Sequence, residues 1–74
     1  MPVIDMTATG NNIKKMCIAN GLSVKDVQNA CGFTTGNAVY KWISGKCMPT
    51  IDNMVIIADM FNTTIDSIIV VSRQ

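Results

Sequence analysis

No histidine occurs anywhere in this 74-residue chain, and its three cysteines, Cys17, Cys31 and Cys47, include no CxxC pair. A zinc site and a disulfide framework therefore both lack their usual sequence support. Free thiols, buried or half-buried in a reducing cytoplasm, are expected instead. A redox-sensing cysteine needs a neighbour that stabilises its thiolate, and only Lys46 beside Cys47 hints at one. Enzymatic chemistry is as poorly supplied. There is no base-nucleophile pair, no constellation of carboxylates, and no phosphate loop, since "TTGNA" lacks the glycine-lysine-serine ending. Neither catalysis nor a cofactor, metal or small-molecule ligand is expected.

Charge is sparse, at 15% of residues, and no apolar run approaches the roughly 18 residues of a membrane span. The N-terminal residues lack the charged and apolar regions of a signal peptide, so a soluble, cytoplasmic protein is expected. A chain of this length makes one small domain that buries only about 60% of its unfolded surface. Yet 49% of the residues are apolar, which excludes a disordered tail and leaves apolar surface for a partner subunit. The net charge of +1 looks poor for nucleic-acid binding until its distribution is followed. Lys25, Lys41 and Lys46 oppose only Asp26 between Ser23 and Pro49, whereas Asp52, Asp59 and Asp66 outweigh Arg73 beyond Thr50. One pole of the molecule should be basic and the other acidic.

Capping and stop residues divide the chain into short helices with short connections, which predicts a compact all-α domain. The first helix is expected from Thr7 to about Asn20, with Ile13, Met16 and Cys17 on one face, Gly10 weakening it slightly and Gly21 as the stop. Ser23 fits an N-cap with Asp26 completing a capping box, Val27, Ala30 and Cys31 form the inward stripe, and Gly32 ends this second helix. Thr35 is the expected cap of a third helix from Gly36 to about Ile43, closed by Ser44 and Gly45. Pro49 and Thr50 open a fourth helix with a broad apolar face of Ile51, Met54, Val55, Ile57, Ala58 and Phe61, stopped by Asn62. Thr64 caps a fifth piece containing Ile65, Ile68 and Ile69. The β-branched runs "PVI" and "IIVV" have no helical period. They are either frayed ends or two short strands, paired within one chain or between two.

The chemistry concentrates in "GFTTGNAVYKWISGK", Gly32 to Lys46, which holds the single tryptophan. On a helix there, Val39, Trp42 and Ile43 fall on one face, while Asn37, Tyr40, Lys41 and Ser44 fall on the other. Asparagine pairs bidentately with adenine and lysine donates to guanine, while tyrosine, serine and threonine hydroxyls reach phosphates. Small Gly36 and Ala38 allow close approach to a groove, and the tryptophan anchors the helix from behind. A polar face is common on surface helices, so the preceding capped helix and glycine-started turn matter: together they make a helix-turn-helix pattern.

Over Gly10 to Ile69 the chain resembles the Xre family of helix-turn-helix regulators, of the Cro and phage-repressor type, in "GNNIKKM", "GLSVKDVQNACGF", "AVYKWISGKCMPTIDNM" and "ADMFNTTIDSI". The resemblance implies a five-helix, lambda-repressor-like fold and dimeric binding to palindromic operators, with the helix at 36–43 in the major groove. It further implies base contacts from Thr35, Asn37, Ala38 and Lys41, and phosphate contacts from Ser23, Lys25, Ser44 and Lys46, with Tyr40 joining these at the edge. Residues 1–6 are then an extended arm, 7–69 the DNA-binding domain and 70–74 a tail. Three departures stand out: Val24 replaces the family's usual glutamine after the serine cap; the turn is one residue longer, with "GNA" where a subgroup has "PQA"; and Cys17, Ile18, Ile56 and Met60 are apolar or weakly polar where charges are usual.

The leading expectation is a sequence-specific, homodimeric transcriptional regulator, a repressor on double-stranded DNA. Its subunit interface would be the terminal strands or the Ile56 and Met60 surface. The alternative is a protein-interaction or antitoxin-like module of the same fold with weak or no DNA binding, which the modest charge and Val24 favour.

Overall fold

The computed structural model describes residues 1–73. Five helices follow a short N-terminal strand and precede a C-terminal one: β1 (Pro2–Ile4), α1 (Met6–Ala19), α2 (Val24–Ala30), α3 (Asn37–Ile43), α4 (Ile51–Met60), α5 (Ile65–Ile68) and β2 (Val71–Arg73). Every helix contributes to one core. Ile13 and Cys17 of α1, Val27 of α2, Val39 and Trp42 of α3, Met54, Ile57 and Ala58 of α4, Phe61, and Ile68 of α5 are all buried. This is the all-α five-helix, lambda-repressor-like architecture with short terminal strands.

Local chemistry explains most boundaries. Ser23 Oγ accepts the Asp26 N–H at 3.1 Å and Asp26 Oδ2 accepts the Ser23 N–H at 2.8 Å, so the expected capping box starts α2. Thr64 caps α5 by accepting the Ser67 N–H, and Asn62 ends α4 in the left-handed region. α1 starts at Met6, in keeping with the expected start near Thr7, and its cap is Asp5, whose carboxylate accepts the Ala8 N–H at 2.9 Å. The cap of α3 differs from expectation. Gly36, not Thr35, is the N-cap of α3, and it has no side chain to bond with. Thr35 Oγ1 still accepts the Asn37 N–H, at 3.4 Å.

Burial is narrower than the sequence stripes suggest. Ala30 is exposed and Cys31 half-buried, because seven-residue α2 turns only Val27 fully inward. On α4 the buried set is Met54, Ile57, Ala58 and the following Phe61, spaced i, i+3, i+4 and i+7. Ile51 and Val55 lie off that stripe and are 73% and 56% exposed.

The chain ends pair within one molecule. β1 and β2 are antiparallel, with Pro2 opposite Arg73, Val3 opposite Ser72 and Ile4 opposite Val71. The strand begins later than the "IIVV" run, because Ile68 still belongs to α5 and is fully buried. Beyond the strands the Asp5 N–H donates to the Val70 carbonyl at 2.8 Å, and the Val70 N–H donates to buried Thr9 Oγ1 at 2.9 Å. Asn12 Nδ2 adds bonds to the Ser67 and Ile68 carbonyls, 2.9 Å each, satisfying carbonyls at the end of α5. Gln74, the last residue of the expected tail, lies outside the described residues.

Candidate nucleic-acid interface

The candidate surface is assembled from the start of α2, the turn after it, and α3. α3 is two turns long, too short to persist alone, so burial of one side must hold it. Val39 is fully buried and Trp42 nearly so, and the Phe33 ring meets the indole edge-on, centroids 5.7 Å apart at 66°. Ile43 is half-buried against the same core. Gln28 Nε2 reaches the Phe33 carbonyl at 3.4 Å and ties the turn back to α2.

With that side anchored, the opposite side is open. Thr35, Asn37, Tyr40, Lys41, Ser44 and Lys46 are exposed, as are Ser23 and Lys25 at the start of α2. The structure thus places eight of the nine expected contact residues on exposed surface. Ala38 differs: it is half-buried and packs on the core, leaving only part of its methyl group outward. Ser44 Oγ donates to the Lys41 carbonyl at 3.2 Å.

Tyr40 lies over the mouth of the turn. A Cβ on Gly36 would stand 3.2 Å from both Tyr40 Cε2 and Val24 Cγ1 and 3.6 Å from Gln28 Oε1, so phenol ring, turn and α2 converge there. Val24 is half-buried and packed on the core, which gives an apolar side chain at that position a structural use. The contributions of Gln28 and of Asp5 were not anticipated from sequence. The side chain of each acts through one hydrogen bond to the backbone, and neither residue belongs to an apolar period or a basic cluster.

The cysteines stand apart from this surface chemistry. Cys17 is buried, Cys31 and Cys47 are half-buried, and all three are free. Burial, and secondarily the negative charge of Asp26, raises the Cys17 thiol above its ordinary value. Burial and then the charge of Asp52 do the same for Cys31, so both favour the neutral thiol over the thiolate. Among the described residues no group of three potential metal ligands gathers, and no helix is long and apolar enough to cross a membrane.

A capped helix, a turn and a second short helix with a buried aromatic back and a hydrogen-bonding front define a helix-turn-helix DNA-binding domain. Residues 13–68 match the helix-turn-helix family model, and the chain belongs to that family. It is an Xre and Cro type regulator, a sequence-specific DNA-binding protein. The chain is also similar to the crystal structure of the restriction-modification controller protein C.AhdI from Aeromonas hydrophila. The two superpose with a TM-score of 0.75 at 17% identity, over 86% of this chain and 96% of that one. At that identity the likeness speaks to the fold. No curated protein sequence matches.

Proposed function

We propose that the protein is a repressor that binds palindromic operators as a homodimer, reading bases through α3. The observation that carries this reading is the division of α3, with Val39 and Trp42 locked inward and Asn37, Tyr40, Lys41 and Ser44 all outward. In this reading Asn37 and Lys41 take the base edges with Thr35 at the helix entrance, and Ala38 sets the closeness of approach. Ser23, Lys25, Tyr40, Ser44 and Lys46 hold the phosphates on either side. Residues 7–69 form the DNA-binding unit, closed by the paired arm and tail.

Two copies are needed for reach as well as affinity. One molecule is 36 Å in its longest dimension, about one turn of duplex, so one copy covers one half-site. The exposed apolar side chains of Ile18, Ile51 and Val55 supply surface for a subunit contact. The expected alternatives are less available, because Ile56 and Met60 are half-buried and the terminal strands already pair with each other. Three free thiols fit a reducing cytoplasm.

A gel-shift titration against salt on DNA selected from a random pool tests the reading. Affinity should fall steeply with salt, as released counterions compete for the phosphates. Undetectable or salt-insensitive binding would leave the protein-interaction or antitoxin-like module in its place.

A further inference from the structure

The angle of α3 is set by what it rests on, and beneath its C-terminal end lies the first half of α1. A Cβ built on Gly10 would collide with the Trp42 carbonyl oxygen, and would stand 2.5 Å from the Ile43 carbonyl oxygen and 2.9 Å from its carbon. From the other side, a Cβ on Gly45 would stand 2.9 Å from Thr7 Cα and 3.1 Å from Thr7 N. Backbone meets backbone at both points, so no side-chain rotation relieves either conflict. This part of α1 is itself pinned, by the Asp5 cap and by the bonds joining Asp5 and Thr9 to Val70.

We propose, resting on the DNA reading above, that Gly10 is a positioning residue for base recognition. Its missing side chain seats α1 directly on the last-turn carbonyls of α3 and so sets the depth and tilt at which Asn37 and Lys41 enter the groove. A side chain at this position drives the two helices apart by about 1 Å, since non-bonded heavy atoms settle near 3.5 Å. A recognition constellation tolerates displacements of only about 0.5 Å. Phosphate contacts made by long, flexible lysines tolerate more. The displacement therefore costs sequence discrimination before it costs DNA binding as such.

The test compares Gly10→Ala with wild type on a selected site and on a non-cognate duplex of equal length, at a temperature where circular dichroism shows both proteins folded. Affinity for the selected site should fall about tenfold or more, with less than about a twofold change on the non-cognate duplex. Equal losses on both, or an unchanged ratio, overturn the proposal. Ile13→Val, which trims the core without touching the seat, must keep the wild-type ratio. If it narrows the ratio equally, general loosening is the cause and the positioning role is lost. Should Gly10→Ala fail to fold, Gly45→Asn imposes a milder form of the same conflict with a residue that tolerates the left-handed region. A narrowed ratio in that variant supports the proposal and an unchanged one overturns it. A wild-type protein that selects no sequence overturns the DNA reading itself, which keeps the two failures distinct.

Discussion

Lys41 and Trp42 are adjacent in sequence and opposite in duty. Trp42 is 3% exposed and Tyr40 60% exposed, a contrast that the roughly half-turn of helix between them creates by rotation alone. Trp42→Ala should accordingly destabilise the fold by about 3 to 5 kcal/mol, measured by thermal or denaturant unfolding. Asn37→Ala and Lys41→Ala should leave unfolding nearly unchanged. Each should instead cost about 1 to 3 kcal/mol of binding and relax preference at one operator position. Lys25→Ala should weaken binding to all sequences alike and shallow the salt slope by about one unit. The exposure of Lys25, Asn37 and Lys41 and the burial of Trp42 were legible in the sequence because period and polarity agree at those positions. Ala38 was not, since a small side chain fits both a groove-facing and a core-facing position and only the packed helix decides between them.

At the scale of the element, capping chemistry was readable at Ser23 and Thr64, where a capping side chain directly precedes an apolar stripe, but not at Asp5. It failed at Thr35, because the helix starts at Asn37 with Gly36 as its cap and leaves the threonine one position outside. Thr50 is the N-cap of α4 through its backbone, its carbonyl accepting the Met54 N–H at 2.8 Å, while its hydroxyl donates to Asp52 Oδ1 at 2.6 Å and makes no cap bond. The α2 box makes a pH prediction. Hydrogen bonds from the Ser23 backbone N–H and then from Ser23 itself hold the Asp26 carboxyl below the usual carboxylate range. A carboxyl depressed in the folded state stabilises that state at pH above its unfolded value and loses the contribution as pH falls through its folded one. Melting temperature should therefore drop as pH is lowered below about 4, and Asp26→Asn should remove part of that drop. Asp52, held down by Thr50 and by backbone N–H groups, adds to the same acid sensitivity.

At the scale of the whole molecule, the five-helix order was legible because stop residues and apolar stripes recur in step, from Ile13 to Ile68. The joining of the ends was not. Whether "PVI" pairs within the chain depends on where α1 and α5 deliver their ends, and that delivery rests on Asn12 and Thr9, polar residues inside a helix that carry no periodic signal. Apolar surface at Ile18, Ile51 and Val55 favours self-association. Static light scattering at micromolar concentration should return twice the 8.0 kDa chain mass, and Val55→Lys should return it to the monomer if α4 lies in the contact. The antiparallel closure has a mechanical consequence. Pro2 and Arg73 sit opposite each other at the open end of the strand pair, so pulling the two termini apart should peel the ladder one bond at a time instead of shearing it as a unit. The peeling front next meets the Asp5–Val70 and Thr9–Val70 bonds, and behind them the turn of α1 on which α3 is seated. Force applied between the two ends should therefore reach the seat of α3 before the core gives way, which single-molecule pulling would show as an early low-force step.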